Sequence, residues 1–308
     1  GQVLAFFERL EPCLVGMEAC ATSHYWAREI SKYGHEVRLM PPTYVKAYVK
    51  RGKSDAGDAA AICEAVTRPT MRFVAIKTVE QQALLSQHRA RQLLIGQRTQ
   101  LANMIRSLIG EFGYTVRRGV NHVTSFAIEA RDGTLTSLPD CVRATIALLC
   151  QQFLDLHAQI ARLDKMIFAA SHQDKRVRLL QTIPGVGPIT ASAIVATIGE
   201  PQRFKSGRDL AAWIGLTPLN KSSGGKERLG RITKMGDRYL RRLLVTGMTA
   251  RIGHARRQPG CADPWVIRLL ERKPTRLATI AMANKTARII WAVLTRQEPY
   301  RAPQAKAA

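Results

Sequence analysis

The stretch CLVGMEACATSHYWAREISKYGHEVRLM, Cys13 to Met40, decides the fold class. CLVGMEA (13–19) is a short apolar run with Glu18 at its end, and EVRLM (36–40) is a second one, stopped by Pro41 and Pro42. Between them Ser23 caps a helical pattern that runs to about Tyr33, where Gly34 ends it. Strand, helix, strand is the mark of an α/β layer with a short sheet. Outward from it, QVLAFFERL (2–10) reads as an amphipathic helix and residues 43–50 as another. Ser54 or Asp55 caps the next helix, in RGKSDAGDAAAICEAV, and FVAIK (73–77) reads as a third strand.

Three carboxylates stand out in this layer. Glu18 closes a strand, where α/β folds often place functional side chains. Asp55 and Asp58, at i and i+3, share one helix face. Three oxygen donors around one point repel each other unless a hard cation sits between them, and Mg²⁺ suits such a set. The plainer reading makes Asp55 and Asp58 first-turn residues favoured by the helix dipole.

The rest of the chain reads as mainly α. A helix runs from about Val79 to Phe112, with Leu84, Leu85, Leu93, Leu94, Leu101, Ile105 and Leu108 at helical spacing and Arg89, Arg91, Arg98 and Arg106 interleaved. Residues 113–140 carry Gly, Pro and turn signals, and a second long helix runs from about Cys141 to Ser171. Two helices of roughly 30 residues joined by a loop predict an antiparallel coiled-coil hairpin. In LLQTIPGVGPITASAIVATIG (179–199) a helix ends near Thr182, PGVG turns, and Pro188 opens another helix. This is a helix-hairpin-helix pattern, in which Gly185 and Gly187 free backbone N–H groups for a phosphate. A plain structural hairpin is the alternative. A last helix is expected over roughly 275–295, and a disordered tail after Pro299.

The chemistry concentrates in WIGLTPLNKSSGGKERLGRITKMGDRYLRRLL, Trp213 to Leu244. Lys221, Lys226, Arg228, Arg231, Lys234, Arg238, Arg241 and Arg242 outnumber Glu227 and Asp237 there. Ser222 and Ser223 on a Gly-rich turn within that positive field suggest a hydroxyl presented to a phosphodiester, whose developing charge the cations would stabilise. A basic loop that only grips DNA is the other reading of the same residues.

Composition agrees. The 308 residues carry 47 Lys+Arg against 23 Asp+Glu, a net charge of +24, so the expected partner is a polyanion, with nucleic acid ahead of a membrane surface. No apolar run approaches the roughly 18 residues that span a bilayer. No CxxC pair occurs among the six cysteines, which are expected as reduced, mostly buried thiols of a cytoplasmic protein.

GMEACATSHYWA, YVKRGKSDAGDAAAICEA, IPGVG, and GLTP followed by SSGGKERLGRITKMGDRYLRRLL occur in this order. Together they resemble the insertion-sequence 110 family of transposases, in its 1111 subgroup, over nearly the whole chain. The resemblance implies a partial RNase H-like (RuvC-like) domain over 1–78, a coiled-coil hairpin over 79–172, and a helical C-terminal transposase domain with helix-hairpin-helix over 173–308. It implies that Glu18, Asp55 and Asp58 belong to a DEDD carboxylate set holding Mg²⁺, and that Ser223, five residues after Pro218, is the nucleophile, with Ser222 its neighbour. The implied activity is DNA strand exchange through a phosphoserine link, guided by a structured bridge RNA, in a dimer or tetramer, near the nucleoid. Two departures accompany it: no strand bearing the family's first Asp precedes Glu18, so the chain reads as N-terminally truncated, and Ala60 stands where the subgroup usually has Glu. A binding remnant with an incomplete site and a metal-only, RuvC-like structure-specific nuclease are the alternative functions.

Overall fold

The computed structural model describes residues 2–50, 54–222, 225–226 and 228–302. The chain divides into two compact units, Gly1–Gln82 and Ala83–Ala308.

The first unit is an α/β layer. Helix α1 (Gln2–Arg9) precedes β1 (Leu14–Glu18), α2 (Ser23–Ser31) and β2 (Glu36–Met40). β1 and β2 pair in parallel, with Glu18 opposite Met40. α2 makes the right-sized crossover because Ala27 and Ile30 recur on one face and bury against Val37 and Leu39. Its start differs from expectation. Thr22, in the left-handed region at φ 68°, is the cap residue without a side-chain bond, and Ser23 lies buried inside, its hydroxyl donating to the Cys20 carbonyl at 2.9 Å. A short helix α3 (Pro42–Val45) and a 3-10 turn lead on to α4 (Asp55–Val66). Ser54 is the cap of α4, its Oγ accepting the Gly57 N–H at 3.1 Å.

α4 covers the other face of the sheet, where Met40, Ala61, Ala65 and Val66 pack together. Gly16 allows that approach: a Cβ there would stand 3.0 Å from Ile62 and 3.1 Å from Val66. The third strand expected at 73–77 does not form. The segment makes one isolated antiparallel bridge, Leu39 to Val74, and is otherwise tied by side chains: Lys77 N–H donates to His24 Nδ1 at 3.2 Å, and Arg28 donates to the Lys77 carbonyl at 2.6 Å.

The second unit is built on helices. α5 (Val79–Gly110), whose first turn lies in the first unit, is opened by a reciprocal cap between Thr78 and Gln81. α5 is crossed to α7 (Asp140–Gln173) by an Arg91–Asp164 ion pair and by Arg98 against His157 at 3.1 Å. These ties step seven residues up one helix and seven down the other, so the two run antiparallel. The stretch read as a break holds a helix of its own, α6 (Val120–Arg131), which buries Val123, Phe126 and Ala127 against Ile105, Ile109, Cys150 and Phe153.

α8 (Lys175–Gln181), α9 (Pro188–Ile198), α10 (Gly207–Trp213), α11 (Arg238–Arg257), α12 (Pro264–Arg272) and α13 (Thr275–Arg296) share the largest core. Between α10 and α11, β3 (Pro218–Asn220) and β4 (Leu229–Ile232) form an antiparallel hairpin. By length and composition α13 could cross a membrane, which its sequence did not suggest, but Ala283, Ala287 and Ile290 on it are fully buried in this core. Tyr300, in the stretch expected to be disordered, packs on the core and its N–H donates to Thr182 Oγ1 at 2.8 Å. The thiols are also not as expected: Cys150 is buried and the other five are exposed.

Candidate active site and nucleic-acid interface

The β3–β4 hairpin is held from its base. Gly215 (φ 79°) and Gly236 (φ 77°) occupy the left-handed region where the chain enters and leaves it. A Cβ on Gly236 would fall on the Trp213 carbonyl oxygen, and one on Gly215 on that of Met235. Only glycine permits two strands of backbone to cross this closely. Arg241 stitches the crossing, donating through Nη1 to the Ile214 carbonyl at 2.7 Å and the Met235 carbonyl at 3.0 Å. Burial away from water lowers its pKa. Arg241, read from sequence as a DNA contact, is thus a structural clamp.

At the far end, Asn220 Oδ1 accepts the Ser222 N–H at 2.9 Å, and Ser222 Oγ accepts the Arg228 N–H at 3.1 Å. The Lys221 N–H donates to the Arg228 carbonyl at 2.8 Å. The Ser222 oxygen therefore closes the tip. Ser223 lies outside the described residues, as do Gly224 and Glu227.

Along the hairpin and the start of α11 the positive charge is available. Lys221, Lys226, Arg228, Arg231, Lys234, Arg238 and Arg242 are exposed, and none makes an ion pair with a described carboxylate. Asp237, the acid nearest in sequence, is engaged as the cap of α11, accepting the Tyr239 and Leu240 N–H groups at 2.7 and 2.9 Å. Arg242 lies over the Tyr239 ring, 5.5 Å from its centre.

Tyr239 leads to a network that the sequence reading missed. Its hydroxyl meets His88 Nδ1 at 3.0 Å, and His88 Nε2 meets Ser192 Oγ at 3.0 Å, joining α11, α5 and α9. His88 is 1% exposed, and desolvation, helped by Arg91, pushes its pKa down to about 4. A neutral imidazole, donating through one nitrogen and accepting through the other, satisfies both hydroxyls. The available clue was spacing: His88 stands four and three residues after Leu84 and Leu85, on the apolar stripe.

In the helix-hairpin-helix turn the two glycines have different surroundings. Gly185 (φ 85°) packs on α11, where a Cβ would stand 2.5 Å from Met248 Cε and 3.2 Å from the Gly247 carbonyl. Packing therefore explains Gly185. Gly187 faces open space, with nothing within 4 Å of an added Cβ.

The carboxylates lie in the first unit. Alternation puts Glu18, two residues after Gly16, on the α4 side of the sheet, half-buried. Asp58 is one turn before Ile62, which meets Gly16, and Asp55 is one turn earlier still; both are exposed. All three share a side of the sheet, yet among the described residues no three carboxylate, His or Cys side chains converge as a metal would require. As they stand, Glu18, Asp55 and Asp58 do not form a cage for the expected ion.

A basic hairpin with exposed cations on a helical body suits a protein that handles DNA, and comparison with known proteins gives the class. Residues 177–260 match the family described as Transposase IS116/IS110/IS902, and residues 2–113 match the DEDD transposase family of the IS110 type. The chain is 45% identical to a probable family 20 transposase of Pseudomonas aeruginosa, over 97% of this chain and 89% of that protein. It is 38% identical to the transposase for insertion sequence element IS1111A of Coxiella burnetii, over 94% and 79%. To the transposase for IS1328 of Yersinia enterocolitica it is 37% identical, over 96% and 87%. The chain belongs to the IS110/IS116/IS902 family of insertion-sequence transposases, DNA-binding enzymes that recombine DNA. Its DEDD class carries dependence on a divalent metal.

Proposed function

We propose that this transposase exchanges DNA strands through Ser223 on the β3–β4 hairpin. The Ser223 Oγ–phosphorus bond forms as the bond from phosphorus to a deoxyribose oxygen breaks. The serine proton passes to solvent and the departing oxygen takes one up. Attack by the hydroxyl of a second strand reverses the step and releases serine, so each phosphodiester cut is replaced by one made. Lys221, Lys226, Arg228 and Arg231 hold the phosphate and offset its added charge. Lys234, Arg238 and Arg242 extend the grip along the DNA backbone, and Gly187, in the turn after α8, offers its backbone N–H to a phosphate.

The observation that carries this reading is the Ser222 oxygen, which accepts the Arg228 N–H and closes the tip. That engagement gives Ser222 a structural task and supports the adjacent Ser223 as the nucleophile. Mg²⁺ is the ion we assign to Asp55 and Asp58, with Glu18 on the same side of the sheet, because carboxylate oxygens are hard ligands. We read the first unit as an RNase H-like fold, with the reaction run in the cytoplasm by an oligomer guided by a structured RNA.

The test is covalent trapping. Wild type, Ser223→Ala and Ser222→Ala are incubated with Mg²⁺, end-labelled element DNA and its guide RNA, then denatured and run on a gel. An adduct in wild type, lost in Ser223→Ala and reduced in Ser222→Ala, is expected. Cleavage without an adduct would replace the serine mechanism with a metal-dependent nuclease. The second reading, a remnant that binds and does not cut, is favoured by the failure of the three carboxylates to converge. It predicts binding with neither adduct nor cleavage.

A further inference from the structure

A cleft of about 1330 Å³ opens in the second unit, walled by the turn after α8, the second half of α11, the start of α12 and Tyr300. Its size exceeds the roughly 300–1,000 Å³ of ordinary small-molecule pockets, which argues for a chain-like ligand. Its charge argues for an anion. Arg251, Arg257, Arg268 and Lys285 line it against a single acid, Asp263. That acid is already matched: one oxygen accepts from Arg251 at 2.9 Å and the other from the Trp265 N–H at 2.9 Å. Arg257 and Arg268 are exposed and make no ion pair with a described carboxylate. Lys285 sits 3.6 Å over the centre of the Trp265 ring, so its ammonium is held by an aromatic face rather than a carboxylate.

Two aromatic side chains complete the lining. Trp265 and Tyr300 are half-buried, each packed on the core along part of its surface. Trp265 holds Lys285 in place, which leaves Tyr300 as the ring for a base. Cations that follow a phosphate chain, beside a ring on which a base stacks, are what an unpaired nucleic-acid strand requires. A duplex would leave that ring without use, because its bases are already stacked on each other. The exposed cations of the β3–β4 hairpin, which has no aromatic residue between Pro218 and Ile232, suit a duplex backbone instead.

We propose that this cleft is a second nucleic-acid site, binding a short unpaired strand with its phosphates on Arg257 and Arg268 and a base against Tyr300. The proposal rests on the reading of this chain as a nucleic-acid enzyme and is independent of the identity of the nucleophile. An unpaired strand of DNA or of RNA offers the same phosphates and ring faces.

The experiment is fluorescence anisotropy at one fixed salt concentration with the full chain. The probes are a short oligothymidylate, an oligouridylate of equal length and a DNA duplex. Wild type is compared with the double variant Arg257→Glu/Arg268→Glu and with Tyr300→Ala, each first shown by thermal melting to be folded. Both variants should bind at least one single-stranded probe about tenfold more weakly, with duplex affinity changed less than about twofold. Weakening of oligothymidylate alone would identify the strand as DNA, and of oligouridylate alone as RNA. Equal weakening of duplex and single strands, or unchanged single-strand binding, would overturn the proposal. Wild type that binds no duplex would instead overturn the reading of the hairpin as a DNA-binding element, leaving the single-strand comparison to stand by itself.

Discussion

The hairpin between α10 and α11 and the first turn of α4 both carry motif residues of the family, but they are built very differently. The hairpin is held at its base by Gly215 and Gly236 where the backbone crosses and by Arg241 across the crossing, and Asp237 caps the helix that follows. Asp55 and Asp58 have no such support. They stand exposed in the first turn of a capped helix, and the carboxylate across from them on β1 does not join them in a three-ligand set. One region is preorganised; the other presents side chains whose arrangement still depends on what binds. Preorganised geometry makes heavy demands on a few backbone positions, so substitutions should separate the two regions clearly.

The largest effect is expected at Gly236→Ala. A Cβ there meets the Trp213 carbonyl and the residue has φ 77°, so the loss should be about 3 kcal/mol or more. Urea unfolding would measure it. A change below about 1 kcal/mol would show that the hairpin base is as yielding as the α4 turn.

Next comes acid sensitivity through His88. Its pKa is about 4 in the folded chain, against about 6.5 when unfolded, so the unfolded state binds the extra proton between those values. The stabilisation from burying the neutral ring is complete above about pH 6.5 and is lost as pH falls toward 4, about 3 kcal/mol in all. His88→Gln, which keeps both a donor and an acceptor, should flatten that part of the stability–pH curve. Denaturation midpoints at several pH values would test it. An unchanged slope would mean that His88 is reached by water and contributes no rigidity beneath α11.

Arg241→Lys should cost about 2 kcal/mol, since the shorter side chain does not bring its nitrogen to the place of Nη1 between the two carbonyls. Duplex affinity should then fall less than in Arg242→Ala, because Arg241 is a clamp and Arg242 an exposed cation. The reverse order in a binding titration would put Arg241 on the DNA. The smallest effect belongs to Asp58→Asn, roughly 0.5 kcal/mol from the helix dipole alone. Added Mg²⁺ should raise the melting temperature of wild type and not of this variant. Equal shifts would take the ion away from α4.

How much of this was legible in the sequence follows from how local each cause is. β1, α2 and β2 were readable because apolar runs and an amphipathic helix fall within 28 consecutive residues, Cys13 to Met40. FVAIK has the composition of a strand, but it makes a single bridge, at Val74, and is tied at Lys77 by His24 and Arg28, which no local pattern announces. α6 was hidden because Gly113, Gly119, Gly133 and Pro139 mark its flanks, and those signals were extended across the twelve helical residues between them. In the candidate site, the Ser-Ser-Gly-Gly motif and the basic residues were visible. The clamp role of Arg241 was not, because it depends on two carbonyls brought together from 27 and 6 residues away. His88, Tyr239 and Ser192 could not be joined on paper for the same reason, being separated by 151 and 104 residues.

The ties between α5 and α7 carry a consequence for how such a chain can vary. Arg91 with Asp164 and Arg98 with His157 make a ruler graduated in sevens. One residue inserted into either helix turns everything beyond it by about 100° and carries the next partner off the seam. Seven residues inserted into both helices restore the alignment and lengthen the hairpin by about 10 Å. Relatives with longer or shorter arms should therefore differ by matched steps of seven, a discontinuous spectrum of reach set by two arginines.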